Sequence, residues 1–176
     1  MSATPVIVEA DTEAASSALA AATARAWLAS DAPRLLIGLC GDLGAGKTTW
    51  ARGMLAGLGH TGRVPSPTYT LLEHYPLSGV DFVHIDLYRL GGQAGDIEAR
   101  GELDALGLRE WLAQPQCWVI VEWPERSPEL LARCDLLITL APGDCADSRT
   151  IAFEGQTPAG ARLVERLRDD SKSASS

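Results

Sequence analysis

Lysine is nearly absent from this chain. Its 176 residues include thirteen arginines but only two lysines, Lys47 and Lys172. Where the sequence needs a generic surface cation it uses Arg, so a compact ammonium at Lys47 reads as a specific chemical choice. An excess of basic charge is missing as well. The net charge is −8 at pH 7 and the pI about 4.8. That excludes a free-standing nucleic-acid binder with the usual basic face. It leaves room for a local basic patch, or for a protein partner that holds the nucleic acid. The four cysteines, Cys40, Cys117, Cys134 and Cys145, contain no C-x-x-C pair. Cys40 and Cys117 sit in or beside apolar strands and read as small core residues rather than as disulfide or zinc positions. No stretch approaches the length of a membrane span. The N-terminus lacks a basic start, and Ala, Thr and Glu interrupt any apolar run, so no signal peptide is expected. No internal repeat is evident. The expectation is one soluble, cytoplasmic domain over residues 1–168 with no membrane contact, followed by a disordered tail at 169–176.

What the chain does have is G-D-L-G-A-G-K-T at Gly41 to Thr48. This fits the phosphate-loop pattern G-x-x-x-x-G-K-[S/T] at every fixed position. In such a loop the backbone N–H groups wrap phosphate oxygens, Lys47 reaches the β- and γ-phosphates, and the Thr48 hydroxyl ligates Mg²⁺. The flanks supply the context the motif requires. Leu35 to Cys40 is a short apolar run suited to a buried parallel strand. After the loop, Trp50, Met54, Leu55 and Leu58 fall on one helical face. The start of that helix adds its own preference for anions.

Along the rest of the chain, residues 12–29 read as a helix and 59–68 as a loop rich in Gly and Pro. Tyr69–Tyr75 and Val80–Asp86 read as strands close enough to form an antiparallel hairpin. Leu103–Leu112 reads as a short helix and Cys117–Trp123 as a buried strand. Leu136–Leu140 and Thr150–Phe153 read as strands joined by a turn, and 159–168 as a final helix. The glycines Gly57 and Gly59 mark the end of the phosphate-loop helix. Interleaved strands and helices give an α/β fold with a mixed, largely parallel central sheet.

A nucleotide-hydrolysing site also needs a carboxylate near Mg²⁺, a group that positions water, and often an element that senses the γ-phosphate. Asp86 and Glu122 each end an apolar strand, at the edge where ligands bind in such sheets. Either could approach the metal directly or through water. Read alone, Asp86 also suits a turn or helix cap, and Glu122 a surface ion pair. Thr68, in Pro65-Ser66-Pro67-Thr68, lies where switch loops occur, although S-P-T by itself is also a rigid turn. His84 alternates with apolar residues and reads as a structural imidazole; His60 and His74 read as surface residues. Trp123 could shield the site, dock a partner or simply pack.

Four blocks then occur in order: G-D-L-G-A-G-K-T-T (41–49), S-P-T-Y-T-L (66–71), H-I-D-L-Y-R-L (84–90) and V-E-W-P-E (121–125). Together they resemble the TsaE family, formerly YjeE, over residues 5 to 155. The resemblance implies a three-layer α/β/α P-loop NTPase fold that binds ATP or ADP with Mg²⁺ and hydrolyses ATP slowly alone. It implies action with TsaD and TsaB, which transfer threonylcarbamoyl to N6 of adenosine-37 in tRNAs reading ANN codons, so that tRNA is met only indirectly. By resemblance, the phosphates are held from Asp42, Leu43, Gly44, Ala45, Gly46, Lys47, Thr48 and Thr49. Thr48 and Glu122 serve Mg²⁺, Asp86 is the essential strand-end acid, and Thr68 belongs to the switch-like loop. Trp123 matches a position linked to activity or partner contact. The adenine contact maps to Thr12 or Glu13, and a late basic contact to Arg149 or Arg133. The segment Gly91 to Gly101 is longer than the short acidic linker expected.

Two other enzyme classes compete. A small-molecule kinase would need an acceptor pocket and an Arg-rich lid, for which Arg100 to Arg109 is the candidate. A GTP-dependent switch would carry N-K-x-D, which this sequence lacks.

Overall fold

The computed structural model describes residues 4–30, 34–90, 101 and 104–173. Its elements in chain order are β1 (Val6–Ala10), α1 (Glu13–Leu28), β2 (Arg34–Cys40), α2 (Lys47–Gly57), β3 (Leu72–Leu77) and β4 (Val80–Asp86). There follow α3 (Leu108–Ala113), β5 (Cys117–Glu122), a 3₁₀ turn (Pro124–Arg126), α4 (Pro128–Leu131), β6 (Leu136–Pro142), β7 (Arg149–Gly155) and α5 (Pro158–Ser173).

The strands form one seven-stranded sheet in the order β1-β7-β6-β2-β5-β4-β3. The central pairs β6–β2, β2–β5 and β5–β4 are parallel, and the outer pairs are antiparallel. The centre is apolar on both faces because both are covered: every residue of β5 is buried. On one face Leu35, Ile37, Leu39, Phe82, Trp118, Ile120 and Ile138 meet α1, α2 and α5; on the other Leu36, Val83, Ile85, Val119 and Val121 meet α3 and α4. This is the three-layer α/β/α arrangement of a P-loop NTPase. Edge-on aromatic contacts seat the helices: Trp27 of α1 lies 6.5 Å from Trp118, and Trp50 of α2 lies 5.7 Å from Phe153.

Most expected elements stand, with differences that have physical causes. The hairpin forms as β3–β4, but its first strand starts later than expected. Tyr69 and Thr70 belong to a turn, and Leu71 has a positive φ of 63° that breaks extension there. Strand β1 was not anticipated; it is a short edge strand with an exposed Ile7, ordered by its pairing with β7 and by burial of Val6 and Ala10 in the core. Helix α5 continues to Ser173, past the point where the tail was expected to begin. In the predicted helix Leu103–Leu112, Gly107 (φ 69°) caps a helix that starts at Leu108, and Leu103 lies outside the described residues. So does the long segment from 91 to 100. Burial pushes the thiols of Cys40 and Cys117 up to about 11 and that of Cys134 up to about 12, which keeps all three protonated at neutral pH. They behave as core residues. Among the described residues no helix is long and apolar enough to cross a membrane.

Gly59 ends α2 with a positive φ, while His60 N–H donates back to Leu55 O at 2.9 Å. Gly57 serves a different purpose. A Cβ there would stand 2.3 Å from Ala21 O in α1. The close approach of these helices fixes where the phosphate-loop helix points. Gly57→Ala gains about 1 kcal/mol of helix propensity but forces a backbone clash of the kind that costs about 1–3 kcal/mol. Urea denaturation should show net destabilisation, with the midpoint lowered; an unchanged or raised midpoint would show that α1 yields freely.

Candidate active site

The loop between β2 and α2 sits at the carboxyl edge of the central parallel strands. It passes so close to β6 that a Cβ on Gly41 would stand 2.3 Å from Leu140 O. From below, Arg149 of β7 braces it, its Nε donating to Ala45 O at 3.0 Å and its Nη1 to the carbonyls of Ala146 and Ser148. At the start of α2 the first-turn amides have no intrahelical acceptor. Those at Lys47, Thr48 and Thr49 open, with Gly44 and Gly46, onto a cleft of about 330 Å³.

The cleft brings together most of the residues singled out from the sequence. Leu43, Gly44, Gly46, Lys47, Thr48, Thr49, Thr68, Asp86, Glu122 and Trp123 line it, along with Ser66 and Tyr88. Asp86 and Glu122 are direct register partners across the parallel pair β4–β5, so their side chains leave the same face side by side. Both are 3% exposed. Thr48 Oγ1 donates to Glu122, 2.8 Å from Oε1 and 3.1 Å from Oε2. Thr68 Oγ1 donates to Asp86 Oδ2 at 2.6 Å, Ser66 Oγ lies 3.4 Å from the same oxygen, and Tyr88 N–H donates to Oδ1 at 2.9 Å. The Pro-rich loop is therefore tied to the β4 carboxylate by two hydroxyls.

Lys47 is buried. Its Nζ donates to Gly41 O at 2.6 Å and to Asp42 O at 2.9 Å, and lies 3.7 Å from the centre of the Trp123 ring. Burial draws its pKa below the usual lysine value, while the carboxylates of Glu122, Glu125, Asp86 and Asp42 act in the opposite sense. Trp123 holds a left-handed conformation (φ 60°) that is rare for a bulky residue and concentrated at functional sites. Tyr88 packs on its ring at 5.2 Å between centres.

Some expected residues lie outside the cleft lining. Asp42 contributes its backbone carbonyl to Lys47, and Ala45 is buried under the loop. Thr12 caps α1, accepting from Ala15 N–H at 3.0 Å, while its neighbour Glu13 reaches Thr49 Oγ1 at 3.3 Å. Arg133 lines a different cavity, with Asp104, Leu108 and Arg109. Of the candidate lid, Arg109 lines that other cavity and is paired with Asp104 at 2.9 Å, and Arg100 lies outside the described residues. Three residues were undervalued in the sequence. Ser66 and Tyr88 serve Asp86, and His84 is fully buried with its Nε2 2.8 Å from Glu122 Oε1. The period-two spacing of His84 and Asp86, which puts them on one face of β4, was the signal available for the histidine.

Mg²⁺ suits this donor set. Among the described residues no group of three or more His, Cys, Asp or Glu could hold a metal ion. One hydroxyl and one or two carboxylates beside a phosphate cradle is the sparse protein contribution that Mg²⁺ takes, because it keeps several waters and uses phosphate oxygens.

Comparison with known proteins gives a consistent result. Residues 8–151 match the sequence family described as "Threonylcarbamoyl adenosine biosynthesis protein TsaE". A Haemophilus influenzae protein named tRNA threonylcarbamoyladenosine biosynthesis protein TsaE is 41% identical over 130 residues, 74% of this chain and 76% of the relative. A Bacillus subtilis protein of the same name is 37% identical over 123 residues, 69% and 70% of the two chains. The crystal structure of Bacillus subtilis YdiB superposes with a TM-score of 0.70 at 27% identity, covering 97% of this chain and 98% of that one.

Proposed function

This chain belongs to the TsaE family, and from that premise we propose that it is a cytoplasmic, Mg-dependent ATPase required for N6-threonylcarbamoyladenosine formation at position 37 of tRNAs reading ANN codons. It acts with TsaD and TsaB, which carry the tRNA and the transfer chemistry. The observation that carries the ATPase reading is the Thr48–Glu122 hydrogen bond at 2.8 Å beside the Thr68–Asp86 bond at 2.6 Å. These join the phosphate loop and a switch-like loop to adjacent strand-end carboxylates.

The geometry supports the following roles. Lys47 leaves the carbonyls of Gly41 and Asp42 and turns its ammonium to the β- and γ-phosphates. The amides of Gly44, Gly46, Lys47, Thr48 and Thr49 donate to the remaining phosphate oxygens. Thr48 and Glu122, with Asp86 beside them, would hold Mg²⁺, and Asp86 would orient the attacking water. When bound, Mg²⁺ supplies positive charge against the phosphoryl oxygens as the bond breaks. Thr68 and Ser66 tie the loop's position to Asp86, so hydrolysis and product release shift that loop's population. A partner reads the shift. The chain's acidity fits a subunit that leaves RNA binding to its partners.

The test is reconstitution of tRNA modification with TsaD and TsaB, with and without this chain and ATP. Modification should require both. Modification at full rate without this chain would refute the reading, and preferential binding of GTP over ATP in competition would count against it. A phosphorylated metabolite formed while the TsaD complex leaves turnover unchanged would identify a kinase instead.

A further inference from the structure

One buried group behind the cleft has no part in the chemistry above. His84, on β4, is 0% exposed, and its Nε2 lies 2.8 Å from Glu122 Oε1. Its Nδ1 is buried with no hydrogen-bond partner. An ionised carboxylate only accepts, so the proton between the two groups sits on Nε2. Leaving a polar atom buried without a partner costs stability. Packing alone does not call for an imidazole: two residues earlier on the same strand face stands Phe82, also fully buried and wholly apolar. What the imidazole does is complete a bracket. Thr48, from the start of α2, and His84, from the neighbouring strand, both lie 2.8 Å from Glu122 Oε1, so the carboxylate is held by a donor from each element.

We propose that His84 is a positioning residue for the divalent cation. By donating from Nε2 it holds the Glu122 carboxylate in one orientation, with its remaining lone pairs toward Thr48 and the metal. It thereby sets affinity for the cation and leaves affinity for the nucleotide untouched. This is how groups behind a metal ligand act, with losses of roughly 10–100-fold in metal affinity or activity when removed. The inference rests on Glu122 being a ligand to Mg²⁺, and the test separates the two.

The full-length protein would be compared with His84→Leu, His84→Gln, His84→Asn and Glu122→Gln. Mn²⁺ binding is read by electron paramagnetic resonance with saturating ADP, and ADP affinity is measured in EDTA. Gln carries its amide nitrogen where the imidazole carries Nε2; Asn carries its nitrogen where the imidazole carries Nδ1. His84→Leu and His84→Asn should weaken Mn²⁺ binding about 10–100-fold with metal-free ADP affinity unchanged, and His84→Gln should recover most of it. If His84→Leu does not fold, the Gln and Asn pair decides alone. Equal Mn²⁺ affinity in His84→Gln and His84→Asn, or a loss of thermal stability with Mn²⁺ affinity intact, would make His84 a structural residue and overturn the proposal. If Glu122→Gln weakens Mn²⁺ binding while the His84 variants do not, only this proposal fails. If Glu122→Gln also binds Mn²⁺ normally, the reading of Glu122 as a metal ligand fails with it.

Discussion

Replacing Lys47 with Ala should abolish Mg-ATP binding and turnover. The ammonium is the one basic side chain among the residues lining the cleft, and the carboxylates of Glu122, Glu125, Asp86 and Asp42 all act on it. Without it the cleft presents backbone dipoles against uncompensated negative charge, and a triphosphate is repelled. Removing one charge-stabilising donor from a phosphoryl-transfer site costs roughly 10²–10³ in rate, and here the lost group also serves ground-state binding. Lys47→Arg should fail similarly. The space between Gly41 O, Asp42 O and the Trp123 ring fits a compact ammonium, and a planar guanidinium is a different shape. Fluorescent-nucleotide titration and phosphate release would measure both effects, with circular dichroism to confirm folding. Unchanged affinity and turnover in Lys47→Ala would rule out the phosphate-loop assignment.

Glu122→Ala and Asp86→Ala should each fold and each lose hydrolysis, by roughly 10²–10⁴-fold, the range for losing a positioned acid–base group. Their failures should differ. Glu122 meets Thr48 and His84, so its loss should appear as weakened Mg²⁺ dependence. Asp86 holds Thr68, Ser66 and the Tyr88 amide, so its loss should leave Mg-nucleotide binding largely intact while the switch-like loop is released and turnover stops. Titrating ATPase rate against Mg²⁺, together with protease sensitivity near residue 68, would separate the two. Retained hydrolysis in both variants would remove these carboxylates from the metal site.

The parts of the site legible in the sequence are those where neighbours in the chain are neighbours in space. The phosphate loop, its helix and the β3–β4 hairpin are each one continuous short stretch of chain, and their glycines, prolines and apolar periods report local geometry directly. The bracing of Ala45 by Arg149 spans 104 positions, and sequence reasoning could only leave Arg149 and Arg133 side by side as candidates. Strand β1 was missed for the same reason: its pairing partner is β7, far along the chain. His84 illustrates a subtler limit. Alternation in β4 says which face it shares with Asp86, yet whether that face meets aliphatic side chains or a carboxylate depends on the next strand over.

From its sequence alone this protein is determined to carry the G-x-x-x-x-G-K-T pattern around one of its two lysines, and to end two apolar strands in carboxylates. Covalent spacing fixes loop and helix geometry over such short distances. Only the tertiary structure decided that β4 and β5 lie adjacent and in register, with Asp86 opposite Glu122. It also decided that Thr48, Thr68 and His84 converge on that pair. Strand order is settled by which long-range pairings bury both faces of the sheet at once. Buried carboxylates must also find hydrogen-bond donors, and no local pattern records where those donors come from.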